Sequence, residues 1–410
     1  MTYDKLIPSG AHHDKAKHRK DKQPKDKYLK NKHAKGKQVN ESVLSHAHNI
    51  DLNELVTAST LAMKGRGAVS NPSNRYDSES MVKIDDGWTA EVASTSVQTK
   101  LIPAPSKTII SSNSSPDISF SKSINPYRGC EHGCIYCYAR PTHAFWDMSP
   151  GLDFETNIFV KANAAEMLEQ TLNKPGYQCE PICIGANTDP YQPCERTERV
   201  TRGVLEVMQK HRHPFSIITK SDLMLRDIEI YEEMARDKLC SVAVSLTTLS
   251  NETKRKLEPR TASPAARLRL IEQLSLAGVP VTVLAAPMIP AVNDHEMEAI
   301  LASAANAGAK YAEYIFLRLP LEIEMLFTEW LTEHYPGRAK HVMSIVRQSR
   351  EGKSYQSGFH TRMKGRGVFA DLLHQRFNIA LRKLGLNEEY PKSELNTRAF
   401  QPANQQLQLF

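Results

Sequence analysis

Apolar and polar positions follow two alternating spacings from about residue 123 to residue 317. Six short apolar runs of strand length are separated by longer segments in which apolar residues recur at helical spacing. The strand runs lie at residues 123–127, 181–185, 215–219, 241–245, 279–286 and 311–317, and the helical segments include 202–209, 228–236, 265–277 and 296–307. Because the strand runs are almost continuously apolar, they predict parallel strands with both faces buried. Six such units predict an α/β fold, namely an incomplete parallel (β/α)6 barrel.

The flanking segments differ from this core in composition. Residues 1–60 are polar and rich in Lys, His, Asn and Asp, and they predict a disordered basic tail. Residues 61–120 carry Gly, Ser, Pro and Asn and predict an extended lead-in that wraps on the body. We expect the barrel to span residues 121–320 and residues 321–410 to form a helical C-terminal extension, with its clearest helix at 369–384.

The net charge of +7 is concentrated in the tail. Residues 1–40 contain 12 Lys and Arg and 4 Asp, so residues 41–410 carry a net charge of −1. A tail of this kind could bind nucleic acid or another polyanion through counterion release. It could equally be a solvated extension without a partner.

Cysteine usage and hydropathy indicate the compartment. The chain has seven cysteines, an odd number, and three of them lie within eight residues, which does not resemble a secreted disulfide framework. The N-terminus is rich in Lys and lacks an apolar core, so it predicts no secretory signal. No apolar run reaches the roughly 18 residues that a membrane span needs. We therefore expect a cytoplasmic protein without a membrane partner.

Polar or reactive residues follow each predicted strand. They are Cys130 to Cys137, Asn187 to Asp189, Lys220 and Ser221, Ser245 to Thr247, residues 287–293, and Arg318. Chemistry in parallel barrels gathers at the carboxyl ends of the strands, so we expect these groups to converge on one active site.

The segment Cys130-Glu-His-Gly-Cys134-Ile-Tyr-Cys137 has the spacing C-x3-C-x2-C. Thiolates are the natural ligands of iron–sulfur clusters, and three of them on one loop can bind three irons of a [4Fe-4S] cluster and leave the fourth iron open. A zinc site usually needs four ligands, and the nearest further candidate, His132, lies inside the loop. A redox pair of Cys134 and Cys137 would leave Cys130 unexplained. The spacing favours the cluster, with the zinc site and the redox pair as alternatives.

This loop, placed after a first barrel strand, resembles the radical S-adenosylmethionine superfamily, in whose motif Tyr136 takes the aromatic position. The wider run 123–140, together with 188–193, 219–221 and 258–260, resembles an uncharacterised bacterial branch related to spore photoproduct lyase and described as DNA-repair-like. The resemblance covers roughly residues 64–385.

The resemblance implies that a reduced [4Fe-4S] cluster cleaves S-adenosylmethionine. The 5′-deoxyadenosyl radical then abstracts a hydrogen atom from a substrate, for which a DNA lesion is one candidate. The resemblance also implies an external one-electron reductant such as flavodoxin or ferredoxin.

The resemblance further implies roles for residues at the second strand end. The position that holds the methionine amino group is matched by Asn187, Thr188 and Asp189, although the usual Gly-Gly-Glu motif is absent. The alternative is a plain turn, since Asp-Pro favours turn initiation whatever the ligand.

At later strand ends the resemblance matches Lys220 to the methionine carboxylate and Ser245 to the ribose. For Lys220 the alternative is a buried salt bridge to Asp189 or Asp227, because an inward-pointing Lys needs a partner. Met288 is matched to the adenine wall, and its alternative is core packing, the commoner role of Met.

In one respect this chain departs from spore photoproduct lyase. That enzyme has a Cys directly before the corresponding run, whereas this chain has Ala186, so the thiol that would return a hydrogen atom is missing. This departure argues against thymine-dimer repair by that route. Cys194 lies five residues beyond Asp189 and is expected in a loop above the cofactor, which makes it a candidate hydrogen donor. The alternative is a buried, inert thiol.

Functions from three classes fit the sequence. The first is a radical enzyme that acts on an unidentified substrate. The second is a non-catalytic iron–sulfur sensor or nucleic-acid-binding module, and the third is a protein with a structural zinc site. The convergence of polar groups at the strand ends favours the enzyme, because a sensor needs the cysteines but no cofactor pocket.

Deletion of residues 1–45 is expected to leave the fold and cofactor cleavage intact, because the tail contains few groups that could join a core. Any affinity for DNA should fall and lose part of its salt dependence, since the tail carries nearly all of the excess positive charge. Circular dichroism and DNA-binding titrations over a salt series measure both effects. Failure of the truncated chain to fold would show that the tail is structural.

Overall fold

The computed structural model describes residues 64–77, 97–388 and 394–402. The predicted basic tail at 1–60 lies outside these ranges, as does the middle of the predicted lead-in. The strands are β1 (Lys100–Pro103), β2 (Ile110–Ser112), β3 (Lys122–Ile124), β4 (Tyr127–Arg128), β5 (Asn157–Val160), β6 (Ile182–Ile184), β7 (Phe215–Thr219), β8 (Cys240–Ser245), β9 (Val281–Met288) and β10 (Tyr311–Phe316). The helices are α1 (Leu152–Thr156), α2 (Ala164–Leu172), α3 (Glu195–Glu198), α4 (Val200–Lys210), α5 (Ile228–Arg236), α6 (Asn251–Leu257), α7 (Pro264–Leu276), α8 (Met297–Asn306), α9 (Ile323–His334), α10 (Ala339–Gln348) and α11 (Val368–Leu384).

The main sheet contains six parallel strands within the described ranges, in the order β3-β6-β7-β8-β9-β10. β2 pairs antiparallel with β3 at one edge, and β10 forms the other edge, so the sheet is open. Every connection between consecutive parallel strands contains at least one helix. The predicted α/β organisation with six parallel units is therefore confirmed.

The two faces of this sheet differ in polarity. Cys183 pairs with Ser216, and Ser216 pairs with Ser241, so these small residues share one face. The adjacent positions Ile217 and Val242 are buried on the other face, within the main hydrophobic cluster. The expected burial is complete at the positions that face the helices, whereas Ser216, Ser241 and Ala243 on the other face are half-buried. The inner face carries small or polar side chains such as Ser216 and Ala243, and it also carries Ile218 and Leu284.

Helices cover the outer face. α2, α4, α5, α7, α8 and α11 pack side by side in that order. The start of α7 is set by Ser263, whose hydroxyl accepts a hydrogen bond from the N–H of Ala266, and by Pro264 in the first turn. This start places Arg267 inside the protein, where its Nη1 donates to the carbonyl oxygen of Ser245 at 2.9 Å.

A second, three-stranded sheet has the order β1-β5-β4. β1 runs parallel to β5, and β4 pairs antiparallel with β5, with Tyr127 opposite Val160. These strands have two to four residues each. Such short segments show no hydrophobic period, so the sequence pattern did not predict this sheet. β4 leads directly into residues 129–137, which we call the cysteine loop.

Helices α9, α10 and α11 confirm the predicted helical character of the C-terminal region. Phe327 and Trp330 of α9 belong to a second hydrophobic cluster, which also contains Ile135 and Tyr136 of the cysteine loop. The C-terminal region therefore supports that loop. Among the described helices, none has the length and hydropathy needed to cross a membrane.

Candidate active site

Backbone contacts fix the cysteine loop at its start and in its middle. Gly129 has φ +77°, and an added Cβ would lie 2.8 Å from a backbone oxygen, so glycine is required there. The N–H of Cys130 donates to the carbonyl oxygen of Phe154 at 2.9 Å, and the N–H of Ile135 donates to that of Leu257 at 3.1 Å. The three thiols are thus positioned by contacts with distant parts of the chain.

The thiols lie inside the protein. Cys130 and Cys134 are buried, and Cys137 is half-buried. Burial raises the pKa of Cys134 to about 12 and raises the pKa values of Cys130 and Cys137 as well. A reactive redox thiol needs a lowered pKa, whereas a buried thiolate needs a bound cation. Three such thiols on one loop fit iron ligands better than they fit a redox pair.

His132 does not complete a fourth ligand position. Its Nδ1 lies 3.3 Å from Oδ2 of Asp189, close to this carboxylate but not aligned for a hydrogen bond. In the described ranges, no three or more His, Cys, Asp or Glu side chains are grouped to hold a single metal ion. A cluster needs a wider arrangement, because each thiolate binds a different iron. The position of His132 beside Asp189 gives no support to the zinc alternative.

Asp189 joins the second and third strand ends to the cysteine loop. Its Oδ1 accepts from the N–H of Tyr191 at 2.9 Å and from Oγ1 of Thr219 at 2.8 Å, and its Oδ2 accepts from the N–H of Lys220 at 2.7 Å. Burial opposes ionisation, but the nearby His132 and these N–H groups outweigh it and lower the pKa of Asp189. Its acceptor positions are taken up within the protein, so we infer that Asp189 organises the site and does not grip the methionine amino group.

Arg140 connects the cysteine loop to a buried carboxylate. Its side chain is fully buried, its Nε donates to the carbonyl oxygen of Cys134 at 2.9 Å, and its Nη2 lies 2.5 Å from Oε1 of Glu155. Its Nη1 donates to the carbonyl oxygen of Gly151 at 2.9 Å. A buried charge of this kind is tolerated only when it is paired and fully hydrogen-bonded. The pair therefore ties the loop to α1.

The carboxylate of Glu155 also holds the described start of the chain. Oε2 of Glu155 accepts a hydrogen bond from the N–H of Gly67 at 2.9 Å, and Oε1 accepts one from the N–H of Ala68 at 2.8 Å. Nη1 of Arg66 donates to the backbone carbonyl oxygen of Glu155 at 2.8 Å. Gly133 of the cysteine loop packs against this contact with φ +67°. An added Cβ on Gly67 would overlap the carbonyl oxygen of Gly133.

Sequence reasoning missed this contact. Its sole signal in the sequence is the pair of glycines that flank Arg66, which permits a close backbone approach but does not identify the partner. Glu155, 88 residues further along the chain, has no neighbouring motif that would mark it.

A second buried ion pair lies behind the aromatic residue of the motif. The hydroxyl of Tyr136 donates to Oε1 of Glu258 at 3.0 Å, and Oε2 of Glu258 lies 2.6 Å from Nη2 of Arg267. Thr247 Oγ1 lies 3.3 Å from the same hydroxyl. This chain of contacts fixes the ring of Tyr136 and thereby the loop between the second and third cysteines.

Lys220 presents an unpaired ammonium beside the cysteine loop. Its Nζ lies 6.0 Å from the centre of the Tyr136 ring, and only its backbone N–H contacts Asp189. Asp227 pairs with two arginines instead. Within the described residues, the salt-bridge alternative for Lys220 is thus not found, and its charge remains available for a ligand.

The other polar residues at the strand ends differ in whether their side chains already have hydrogen-bond partners. Asn187 is exposed, its N–H donates to Oδ1 of Asn125 at 2.8 Å, and its side-chain amide has no partner in the described part of the chain. Thr188 is buried and donates from Oγ1 to the carbonyl oxygen of Tyr127 at 2.8 Å. Ser245 is buried and donates to a carbonyl oxygen of β9 at 3.3 Å. Of the three side chains, that of Asn187 is the one free to meet a ligand.

For two expected site residues the structure indicates a packing role. Met288 is 0% exposed within the main hydrophobic cluster, so it packs in the core and has no surface to offer an adenine ring. Cys194 directly precedes α3, is 6% exposed and belongs to the same cluster, and burial raises its pKa. The expectation that Cys194 overhangs the cofactor is not supported, and its role as a hydrogen donor stays a prediction without geometric support.

Gly67→Ala is expected to lower the iron content per chain and to destabilise the fold by about 1–3 kcal/mol, as overpacking does. The reason is that the new Cβ would push Gly133 and the cysteine loop away from Glu155. Iron analysis and thermal unfolding measure the two effects. Gly337→Ala is the matched control, because an added Cβ there meets nothing within 4 Å. Equal iron content in the two variants would contradict the assigned contact.

Glu258→Gln is expected to lower the free energy of unfolding by about 3–5 kcal/mol at neutral pH, because it leaves the charge of Arg267 buried and unpaired. Burial opposes ionisation of Glu258, but Arg267 and Lys220 outweigh it and lower the pKa of Glu258 to about 2. The ion pair therefore stabilises the fold above the ordinary carboxyl pKa of about 4.3 and loses its effect as the pH falls through about 2. Urea titrations at a series of pH values should show that the free energy of unfolding of Glu258→Gln approaches that of the wild type as the pH falls from about 4.3 to about 2.

The control for this prediction is Glu252→Gln. Glu252 is exposed and pairs with Lys256 one helical turn away, so its loss should cause no measurable change. If the difference in free energy of unfolding between the wild type and Glu258→Gln stays constant down to about pH 2, the lowered pKa of Glu258 is contradicted.

The sequence of this chain is similar to a known family and to proteins of other organisms. The family model of the Radical SAM superfamily matches residues 124–304. An uncharacterised protein of Mycobacterium tuberculosis is 36% identical over 231 residues, which are 56% of this chain and 68% of that protein. An uncharacterised protein of Methanocaldococcus jannaschii is 28% identical over 215 residues, which are 52% of this chain and 76% of that protein.

Two solved structures resemble this chain at low sequence identity. A spore photoproduct lyase variant with bound AdoMet and dinucleoside spore photoproduct has a TM-score of 0.49 and 14% identity, over 69% of this chain and 79% of that chain. A radical S-adenosylmethionine methyltransferase from Kitasatospora setae has a TM-score of 0.37 and 13% identity, over 51% of this chain and 37% of that chain.

The matched residues contain the cysteine loop, the unpaired Lys220 and the buried pair of Glu258 and Arg267. A [4Fe-4S] cluster and S-adenosylmethionine are the cofactors of the matched family, and the buried triad of thiols fits the first of them. The chain belongs to the radical S-adenosylmethionine superfamily, with a [4Fe-4S] cluster and S-adenosylmethionine as its cofactors.

Proposed function

We propose that this radical enzyme holds its cluster through Cys130, Cys134 and Cys137 and acts on a substrate bound against the inner face of the main sheet. The proposal rests on one observation: three thiols lie on a single loop that backbone contacts hold in place. Three ligands leave one iron free to bind a small molecule. When both cofactors are bound, they supply the one-electron chemistry that removes a hydrogen atom from the substrate.

The residues that face the cofactor have separate tasks in this proposal. Lys220 binds the methionine carboxylate, which its unpaired ammonium beside Tyr136 supports. The free side-chain oxygen of Asn187 accepts a hydrogen bond from the methionine amino group, which its exposed position at the end of β6 supports. Thr188 and Asp189 fix the segment that follows β6 through their hydrogen bonds to the backbone.

The inner face of the sheet orients the substrate and keeps it apart from the core. Ser216 and Ala243 on this face are small and half-buried. Apolar side chains that include Ile135 and Trp330 pack behind the loop and exclude water from that side. Such an arrangement suits radical chemistry, because a reactive group must be shielded from solvent.

The reaction that we would test first is of the lyase type, on a DNA lesion. The basic tail at residues 1–40 supports a polyanionic substrate through its charge. An external one-electron donor such as flavodoxin or ferredoxin would reduce the cluster. The replacement of the expected Cys by Ala186 argues that a different group returns the hydrogen atom to the product.

A non-catalytic iron–sulfur sensor is the other function to consider. A sensor needs the cysteines but gains nothing from an unpaired Lys220 or from small residues on the inner face of a barrel. Both features have a use in an enzyme, because one binds an anionic cofactor group and the other leaves room for a substrate. The structure therefore favours the enzyme.

Replacement of Cys130, Cys134 or Cys137 by Ala is expected to remove most of the bound iron and all production of 5′-deoxyadenosine, because three thiolates are the minimum for a cluster with one open iron. Iron and sulfide analysis, visible absorption and product analysis after anaerobic reduction measure these losses. Full 5′-deoxyadenosine production by any of the three variants would refute the assignment.

Cys179→Ala is the matched control. Cys179 is a half-buried free thiol that lies ahead of β6 and away from the cysteine loop in the sequence. Its loss is expected to leave iron content and 5′-deoxyadenosine production at the wild-type level. Equal loss of iron in this variant would mean that the measurement reports general damage to the protein.

A further inference from the structure

Arg318 lies at the mouth of the barrel, and the described residues offer it no acidic partner. It follows Phe316, the last residue of β10, by two positions. Within the described ranges no carboxylate oxygen lies within 4.0 Å of its guanidinium, and its Nε is buried without a hydrogen-bond partner. Its Nη1 contacts Sδ of Met363 at 3.2 Å, and its Nη2 donates to the hydroxyl of Tyr355 at 3.4 Å. A thioether and a distant phenol are weak acceptors for a group with five donors.

Two tyrosine rings bracket this guanidinium. The Cζ atom of Arg318 lies 5.8 Å from the ring centre of Tyr138 and 5.7 Å from that of Tyr355. Such contacts orient a cation but do not neutralise its charge. Tyr138 directly follows Cys137, and its hydroxyl donates to the carbonyl oxygen of Ala186 at the end of β6. Arg318 is therefore held over the residue that adjoins the third cysteine.

A second unpaired arginine lies behind Arg318. Arg350 is fully buried and donates to the carbonyl oxygens of Leu317 at 3.0 Å and of Arg362 at 2.8 Å. Burial and, after it, the positive charge of Arg318 lower the pKa of Arg350 to about 10. Two neighbouring cations without an acid are unfavourable in a partly desolvated place, and a bound anion would relieve this cost.

Arg350 also docks a basic segment on the free edge of the sheet. The N–H of Phe316 donates to the carbonyl oxygen of Met363 at 2.8 Å, so residues 349–367, which we call the α10–α11 loop, lie against the end of β10. This loop carries five Lys and Arg and one Glu. Lys353, Lys364 and the ring of Phe359 are exposed. Loops at this end of a parallel barrel form substrate sites.

We propose that Arg318 binds a phosphate group of the substrate, which is a phosphate ester, and that the α10–α11 loop contributes further positive charge around it. A guanidinium fork matches the oxygens of a phosphate in a bidentate arrangement. The excess of exposed Lys and Arg in the loop favours a group with more than one negative charge over a single carboxylate. The assignment names a substrate class for the enzyme proposed above and rests on that proposal.

The test measures binding by the full chain and needs no turnover. The probes are a short fluorescein-labelled oligothymidylate, thymidine monophosphate and inorganic phosphate, each titrated over a series of salt concentrations by anisotropy or by competition. Arg318→Gln removes the charge, and Arg318→Lys retains it. Arg236→Gln is the control, because Arg236 is an exposed residue at the end of α5, where the helices meet the opposite end of the strands. Among the described residues its ion pair is with Glu232.

Arg318→Gln is expected to weaken oligothymidylate binding about tenfold and to reduce the slope of log affinity against log salt by about one. Arg318→Lys should retain most of that slope, and Arg236→Gln should match the wild type. Competition by thymidine monophosphate at the wild-type site but not in Arg318→Gln would indicate that a single nucleotide suffices. Competition only by the oligonucleotide would assign the site to a nucleic-acid strand.

Equal affinity and equal salt slope in Arg318→Gln and Arg236→Gln would overturn the proposal. Loss of affinity for labelled S-adenosylmethionine in Arg318→Gln, with oligothymidylate binding unchanged, would overturn it as well, since Arg318 would then hold the cofactor carboxylate. Lys364→Gln, an exposed change, gives an independent measurement if Arg318→Gln unfolds, and an unchanged salt slope there would also overturn it. If the wild type fails to cleave the cofactor, the proposed function is refuted. The binding measurements still test the role of Arg318, because they need no turnover.

Discussion

The carboxylate of Glu155 is the contact on which the arrangement of the candidate site depends. It is fully buried and joins three segments that are far apart in the chain: Arg140 after the cysteine loop, its own helix α1, and the backbone of Gly67 and Ala68. An isolated buried charge costs several kcal/mol, so none of these segments can leave without exposing an unpaired group. The cysteine loop is therefore positioned by contacts within the protein that do not involve a cluster.

Charged groups behind the cysteine loop are paired, and those in front of it are not. Glu258 with Arg267, and Asp189 with its backbone donors, use up their hydrogen-bonding capacity within the protein. Lys220 and Arg318 have no carboxylate oxygen within 4.0 Å among the described residues, although the charge of Lys220 acts on Glu258 from a longer distance. Buried polar groups are almost always satisfied, so the exceptions indicate where a ligand completes the structure. Lys220 contacts the ring of Tyr136 and Arg318 that of Tyr138, the residues before and after Cys137 in the chain.

The open edge of the sheet explains why the α10–α11 loop lies where it does. An unpaired strand edge invites association with other chains and is usually covered. Here the N–H of Phe316 in β10 is satisfied by Met363, and Arg350 bonds to carbonyl oxygens of both the strand end and the loop. The same contacts that cover the edge also bring a basic segment to the mouth of the barrel. A structural need and a means of substrate recognition are thereby met by one loop.

The sequence by itself determined the class of fold and the identity of the chemistry, because both depend on local patterns. Six strand-length runs with intervening helical periodicity predicted the parallel sheet, and the spacing of Cys130, Cys134 and Cys137 predicted the cluster. Only the tertiary structure decided which polar residues at the strand ends remain free. Asp189, Met288 and Cys194 are taken up by internal bonds or by the core, whereas Lys220 is not. The reason is physical: whether a charge or a thiol is available depends on partners such as Glu155 and Arg267, which lie many residues away and are brought near only by packing.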